Sequence, residues 1–162
     1  MTDVYLLLGS NENNRLQNLA SARNLIELQG GKILKQSALY ETEAWGLKEQ
    51  NSFLNQALLI ETSFAPHQLL VILKAIEKEI GRVETVKWGP RVIDIDILFY
   101  GNEIVEQEDL KIPHPYLHER KFTLAPLNEI APEFVHPVFQ KTIKLLLHEC
   151  SDASAVKIFN EQ

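Results

Sequence analysis

The chain alternates between apolar runs of strand length and apolar positions at helical spacing. Val4 to Leu8 (VYLLL) is a continuous apolar run that predicts a buried strand, closed by the turn formers Gly9-Ser10-Asn11. Leu16, Leu19, Ala20, Ala22, Leu25 and Ile26 recur at helical intervals, and Gly30-Gly31 marks the end of that helix. Lys32 to Glu43 reads as one long strand, and Thr42 to Ser52, with Trp45-Gly46, as a loop. Leu54 to Thr62 is the next strand. Pro66 suits a first helical position, Leu69, Leu70, Ile72, Leu73, Ile76 and Ile80 follow at spacings of three and four, and Gly81 closes the helix. Arg82 to Pro90 has no periodicity and exceeds the usual connection of about 4–6 residues, as a functional lid would. Val92 to Tyr100 (VIDIDILFY) is a β-branched strand. Short strands or turns fill Ile104 to Ile112. Short helices broken at Pro113, Pro115, Pro126, Pro132 and Pro137 follow, and Thr142 to His148 predicts a last helix.

The order β-α-β-β-α-β through residue 100 is that of a ferredoxin-like split βαβ unit, an α+β class with both helices on one sheet face. The C-terminal third would cover part of the other face with helical additions, giving αβα layers, or extend the sheet. At 162 residues the chain corresponds to one domain, taken as 1–162. Lys and Arg number 16 against 22 Asp and Glu, a net charge of −6, which argues against nucleic acid as a partner. A single cysteine, Cys150, excludes an internal disulfide framework and a Cys-rich zinc module. The N-terminus has no basic segment before its short apolar run, and no stretch approaches the ~20 apolar residues of a membrane span. A cytoplasmic location without membrane contact is the expectation.

The segment that changes the picture is Arg91-Val92-Ile93-Asp94-Ile95-Asp96-Ile97-Leu98. Strand alternation puts Ile93, Ile95, Ile97 and Phe99 on one face and Val92, Asp94, Asp96 and Leu98 on the other. The two aspartate Cα atoms then lie about 6.5–7 Å apart. Carboxylates this close in an apolar strand repel each other unless cations neutralise them, and Mg²⁺ is the natural choice. Two such ions form a clamp for phosphoryl-type transfer. The motif is short, and it fits equally well with aspartates that simply face solvent at a sheet edge.

Arg82, Arg91, His114 and Arg120 lie near this strand and match polyphosphate oxygens in type, although each also suits an ordinary surface ion pair. No glycine-rich phosphate cradle is present. His114 and His118 have helical metal-pair spacing, but Pro113 and Pro115 disturb that helix and no cysteine is near. Trp45, Phe53, Trp88 and Phe122 come from loops or strand starts, with Asn55 two residues after Phe53. Flat rings plus an amide suit a planar heterocycle, and packing alone explains them equally well.

Taken together, these residues resemble the 6-hydroxymethyl-7,8-dihydropterin pyrophosphokinases of folate biosynthesis. The resemblance runs through Gly9-Ser10-Asn11, Thr42, Phe53-Leu54-Asn55, Glu77, Gly81-Arg82, Trp88-Gly89-Pro90-Arg91, Asp94-x-Asp96, Pro113-His114-Pro115, Arg120-x-Phe122 and Ala131-Pro132. The pairing of W-G-P-R-x-x-D-x-D with P-H-P-x(4)-R-x-F is its most specific part. It implies that Asp94 and Asp96 hold two Mg²⁺ ions and that Arg82, Arg91, His114, Tyr116 and Arg120 contact ATP, with Glu77 in support. Leu70, Ile97, Lys111 and Ile112 would lie near the adenine. Thr42, Asn55 and the backbone of Glu43, Ala44 and Trp45 would read the pterin edge, Phe53 and Phe122 would sandwich its ring, and Trp88 would close over it. Three loops, near 10–14, 43–53 and 82–91, would close over the substrates.

The implied reaction is transfer of pyrophosphate from ATP to the pterin hydroxymethyl group, releasing AMP. Its catalytic set is Arg82, Arg91, Asp94 and Asp96, with Asp94 a candidate proton acceptor. The implied protein is a monomer whose partners are small molecules. Two departures stand out: Phe53 replaces a tyrosine found in some members, and Glu84 replaces a common arginine and takes no assigned role. A two-metal nucleotidyl transferase and a non-catalytic binding module are the rival readings.

Overall fold

In a computed structural model, residues 1–43, 51–81 and 91–160 are described. The expectations placed on Ala44, Trp45, Arg82, Glu84 and Trp88 lie outside the described residues.

The first strand, β1, runs over Thr2–Ser10 and continues through Gly9 and Ser10, which the sequence reading placed in a turn. Helix α1 (Arg15–Gln29) starts at Asn14, whose side chain accepts from the Gln17 amide at 3.1 Å. The predicted long strand is two strands, β2 (Lys32–Gln36) and β3 (Tyr40–Thr42). The break has a local cause. The Ser37 hydroxyl accepts from the Ala57 amide at 3.0 Å, and the Gln56 side chain donates to the Ser37 carbonyl at 2.7 Å. Side chains thus satisfy groups that a continuous ladder would have paired. β4 (Phe53–Thr62) and helix α2 (Pro66–Ile80) follow, with Pro66 in the first turn and Gly81 at φ 119° as C-cap, as the pattern predicts.

β5 (Asp94–Tyr100) lies beside β1, and the six-stranded sheet runs β5-β1-β4-β3, with β2 also on β4 and a last strand, β8 (Val156–Ile158), on β3. Every pairing in it is antiparallel. β6 (Val105–Glu106) and β7 (Lys111–Ile112) form a separate hairpin. Helices α3 (Lys121–Ile130) and α4 (Ile143–Glu149) complete an α+β fold with four α-helices among the described residues. Pro126 does not break α3 but sits inside it. The expected last helix is present and is capped by Thr142, whose hydroxyl accepts from Leu145 N. β8 extends the sheet from the C-terminal third, which thus both covers a face and lengthens the sheet.

The sheet buries both faces. Val4, Leu6 and Leu8 of β1, Leu58 and Ile60 of β4 and Ile93, Ile95 and Ile97 pack with Leu19, Ala22 and Ile26 of α1 and Leu69, Leu73 and Ile76 of α2. On the opposite face Leu7, Leu98 and Phe99 pack with Leu124 and Leu127 of α3 and Ile143 and Leu146 of α4. Phe99 therefore faces opposite to the side expected from simple alternation. Leu6 pairs with Ile97 while Tyr5 pairs with Phe99, so Leu98 is an extra residue and the strand switches faces there. Asp94 and Asp96 precede this bulge and keep the alternation that places them together.

Candidate active site

A cavity of about 300 Å³, within the size range of small-molecule sites, opens on the α3 side of the sheet. Its floor is the end of three neighbouring strands. Gly9 of β1 pairs with Asp94 of β5 on one side and with Asn55 of β4 on the other. At about 4.8 Å between strands, Asp94 and Asn55 lie roughly 10 Å apart across the sheet. Gly9 between them carries no side chain. A Cβ there would sit 2.7 Å from Asn55 Nδ2 and 3.8 Å from Phe53 Cδ1, so any larger residue would intrude on the floor. Leu7 pairs with Asp96 and supplies an apolar neighbour.

At one end stand the two aspartates, both partly exposed into the cavity, with Arg91, His114, Tyr116 and Arg120. Arg91 Nε lies 3.8 Å from Asp94 Oδ1, a loose ion pair. Burial pulls the Arg120 guanidinium below its ordinary pKa, opposed chiefly by Asp96 and then by Tyr116, Glu119 and Asp94. An arginine remains charged through such a shift. The guanidinium lies 5.1 Å from the Tyr116 ring centroid and 5.6 Å from that of Phe122, so aromatic faces compensate part of its lost hydration. Burial, together with the charge of Arg120, pushes His114 down to about 4, so its imidazole is neutral at pH 7. His114 Nδ1 accepts from the Tyr116 amide at 3.2 Å, which leaves the ring proton on Nε2.

At the other end are Thr42, Glu43, Phe53, Asn55 and Phe122. Asn55 is buried and its amide is fixed: Nδ2 donates to the Leu8 carbonyl at 3.3 Å, and the Thr42 hydroxyl donates to Oδ1 at 3.4 Å. Phe53 enters from the start of β4 and Phe122 from the first turn of α3.

The structure brings together Arg91, Asp94, Asp96, His114, Tyr116, Arg120, Thr42, Glu43, Phe53, Asn55 and Phe122 around this cavity. It places Leu70, Glu77, Ile97, Lys111 and Ile112 outside its lining. Ile97 and Ile112 are buried in the apolar cluster on the far face of the sheet, Leu70 packs against that cluster, and Lys111 is exposed. Glu77 is buried under the strand, and its Oε2 accepts from Ile95 N at 2.7 Å, between the two aspartates. It braces the strand from the far face. His118 turns away from His114 and packs against Phe139, in a different hollow. Among the described residues no group of three or more His, Cys, Asp and Glu converges as a metal cage.

One residue without an assigned role in the sequence reading binds the cavity edge together. Asn11 is buried; its backbone N–H donates to the Arg91 carbonyl at 3.0 Å, and its side-chain Oδ1 accepts from Arg91 N at 2.7 Å. Its Nδ2 donates to Asn51 O at 3.1 Å. Asn18 adds donations to Ser10 Oγ, Glu12 O and Val92 O. Residues before α1, before β4 and before β5 are thereby tied at one point. An asparagine directly after a strand that ends in Gly-Ser was the available signal.

The family model for 7,8-dihydro-6-hydroxymethylpterin-pyrophosphokinase matches residues 5–132. The chain belongs to this family. It is a pyrophosphokinase, a transferase of folate biosynthesis. It is similar to the 2-amino-4-hydroxy-6-hydroxymethyldihydropteridine pyrophosphokinase of Aquifex aeolicus, 46% identical over 144 residues that cover 89% of each chain. It is 47% identical over 135 residues to the folic acid synthesis protein fol1 of Pneumocystis carinii, covering 83% of this chain and 18% of that protein. Among solved structures, wild-type HPPK-DHPS of Plasmodium falciparum matches with a TM-score of 0.71 at 21% identity, over 91% of this chain and 44% of that one. That likeness carries the fold alone. Pyrophosphokinases of this family use ATP and Mg²⁺, and no helix among the described residues is long and apolar enough to cross a membrane.

Proposed function

We propose that this cavity transfers a pyrophosphoryl group from ATP to the hydroxymethyl oxygen of 6-hydroxymethyl-7,8-dihydropterin and releases AMP. The observation that carries the reading is the shared floor: a carboxylate pair and a fixed amide, separated by a glycine, open on one cavity that two phenylalanines also line. Attacking oxygen and β-phosphorus would meet above Gly9, so positioning supplies much of the rate.

Two carboxylates on one strand without a third protein ligand suit Mg²⁺, which fills its remaining positions with water and phosphate oxygens. We assign two ions to Asp94 and Asp96. When bound, they supply positive charge and Lewis acidity toward the phosphates. Arg91 and Arg120 would hold phosphate oxygens in fork geometry. His114, neutral, would donate from Nε2, and Tyr116 would flank the nucleotide. No dedicated base is assigned; Asp94, itself a metal ligand in this reading, is the weaker candidate to take the hydroxymethyl proton. Asn55 and Thr42, with the backbone at Glu43, would read the pterin edge, and Phe53 and Phe122 would stack on its faces. For the adenine, Leu70 and Lys111 at the rim of the far-face cluster, with Ile97 and Ile112 beneath, remain the proposed neighbours, and Glu77 acts by supporting the aspartate strand. From the resemblance we also assign Arg82, Ala44, Trp45 and Trp88 to the site, Arg82 toward the phosphates and the others toward the pterin.

We read the sheet as a ferredoxin-like βαββαβ core whose second strand is split into β2 and β3, residues 1–162 as one catalytic domain, and the protein as a cytoplasmic monomer. Incubation with ATP, Mg²⁺ and the hydroxymethyl dihydropterin, followed by mass analysis, tests the function. AMP and a diphosphorylated pterin in equal amounts are the expected products. Release of inorganic pyrophosphate would replace this reading with nucleotidyl transfer, and no turnover would leave a binding module.

A further inference from the structure

We infer that Arg15 is a positioning residue for the pterin end of the cavity, an inference that rests on the function proposed above. Arg15 is the first residue of α1 and does not line the cavity. One of its terminal nitrogens, Nη1, donates to Glu41 Oε2 at 2.7 Å and to the Ser52 carbonyl at 2.9 Å. Glu41 immediately precedes Thr42, and Ser52 immediately precedes Phe53. Thr42 and Phe53 are the last pair of the β3–β4 ladder, where the two strands lose their mutual hydrogen bonds. A single guanidinium nitrogen therefore closes the open end of that ladder, one residue before each wall of the pterin end.

The brace is itself held. Arg15 is about three-quarters covered, with 24% of its side chain exposed, and its guanidinium lies 5.7 Å from the Phe159 ring centroid. Phe159 N donates to the Leu39 carbonyl at 2.8 Å, and β8 pairs with Tyr40–Thr42 along the outer edge of β3. An exposed ion pair of this kind would contribute little. Here the Glu41 side chain is 40% exposed but the guanidinium is mostly covered and also bonds the Ser52 carbonyl, and that shared, charge-assisted bond has a fixed geometry. Its role is to set the separation and tilt of Phe53 against Thr42 and Asn55. It makes no contact with Arg91, Asp94, Asp96 or Arg120 in the hydrogen bonds of its guanidinium, so its effect belongs to one substrate.

The test is ligand titration of the full chain by fluorescence or calorimetry, with 6-hydroxymethylpterin as one probe and a non-hydrolysable ATP analogue with Mg²⁺ as the other. Arg15→Ala is expected to weaken the pterin probe about tenfold, the scale of one charged hydrogen bond. Nucleotide affinity should stay within about twofold. Arg15→Lys, whose ammonium lacks the planar fork, should fall between the two. Turnover should show the same split, a raised KM for the pterin at a nearly constant KM for ATP. Unchanged pterin affinity in Arg15→Ala overturns the inference. So does parallel loss of both ligands, in Arg15→Ala or, should that variant not fold, in Arg15→Lys. Failure of the unsubstituted protein to bind the pterin probe would instead overturn the proposed function, and the two failures are separable for that reason.

Discussion

The two faces of β5 carry the same backbone and opposite chemistry. Toward α1 and α2 it presents Ile95 and Ile97, with Ile93 just before it, at relative exposures of 3%, 5% and 0%. Toward the cavity it presents Asp94 and Asp96, partly exposed and flanked by Arg91 and Arg120. Burying each isoleucine stabilises the fold by about 1.5–3 kcal/mol, whereas two like charges two residues apart oppose it. The far face anchors what the near face would otherwise destabilise. Among the described residues Glu77 is the one buried carboxylate, and its Oε2 accepts from Ile95 N. Substitutions on the two faces should therefore separate turnover from stability.

The largest separation is expected at Asp96→Ala. Turnover should fall by about 10³-fold or more, the scale on which charge-stabilising groups act in phosphoryl transfer. The thermal midpoint should move little, because the lost repulsion from Asp94 and the lost attraction to Arg120 oppose each other. AMP release and a melting curve check both halves, and near-normal turnover would move the metal site elsewhere. Phe122→Ala should weaken pterin binding by about 1–3 kcal/mol, the cost of losing one stacking ring. Calorimetry reads this directly, and equal affinity would dissolve the sandwich.

Ile95→Val, on the far face, should cost about 0.5–1.5 kcal/mol of stability in denaturant titration. The KM values of both substrates should not move. A shifted KM would show that the two faces are not independent. The last prediction concerns His136, remote from the cavity, stacked on Phe139 with ring centroids 4.3 Å apart. Burial, and next the neighbouring His118, push it down to about 4. Between the ordinary histidine value of about 6.5 and about 4, the unfolded chain takes up a proton that the folded one refuses. Stability should therefore fall as pH drops from 6.5 toward 4 and stay flat above. In His136→Asn that slope should be shallower in midpoints measured at pH 7, 6 and 5, and an identical slope would remove His136 from the balance.

What could be read from the chain alone follows from where local pattern governs. The 66–80 helix has apolar residues at spacings of three and four, a proline at its start and a glycine at its end, and it forms as read. The Asp94-x-Asp96 alternation held because the strand is regular there. It failed at Phe99, since Ile97-Leu98-Phe99-Tyr100 is apolar throughout and an extra residue leaves no mark in such a run. The split between β2 and β3 depends on Ser37 meeting Ala57 across the sheet, a contact that no window of sequence contains. β8 is three residues long and exists only because β3 offers an edge. Most of the cavity residues were legible through the combined motifs. Arg15 was not, because its significance lies in two acceptors, 26 and 37 positions away.

The last ten described residues behave like a strap buckled at three points. Asp152 Oδ2 accepts from the Lys121 amide at 3.0 Å beside Arg120 and Phe122, β8 borders Thr42, and Phe159 rests against Arg15. The family match ends at residue 132, before any of these contacts. Cutting the chain at that limit would remove these three contacts together with α4, whose Ile143 and Leu146 are buried against the sheet. The tail that borders Thr42 and Arg15 lies beyond the stretch the family model covers.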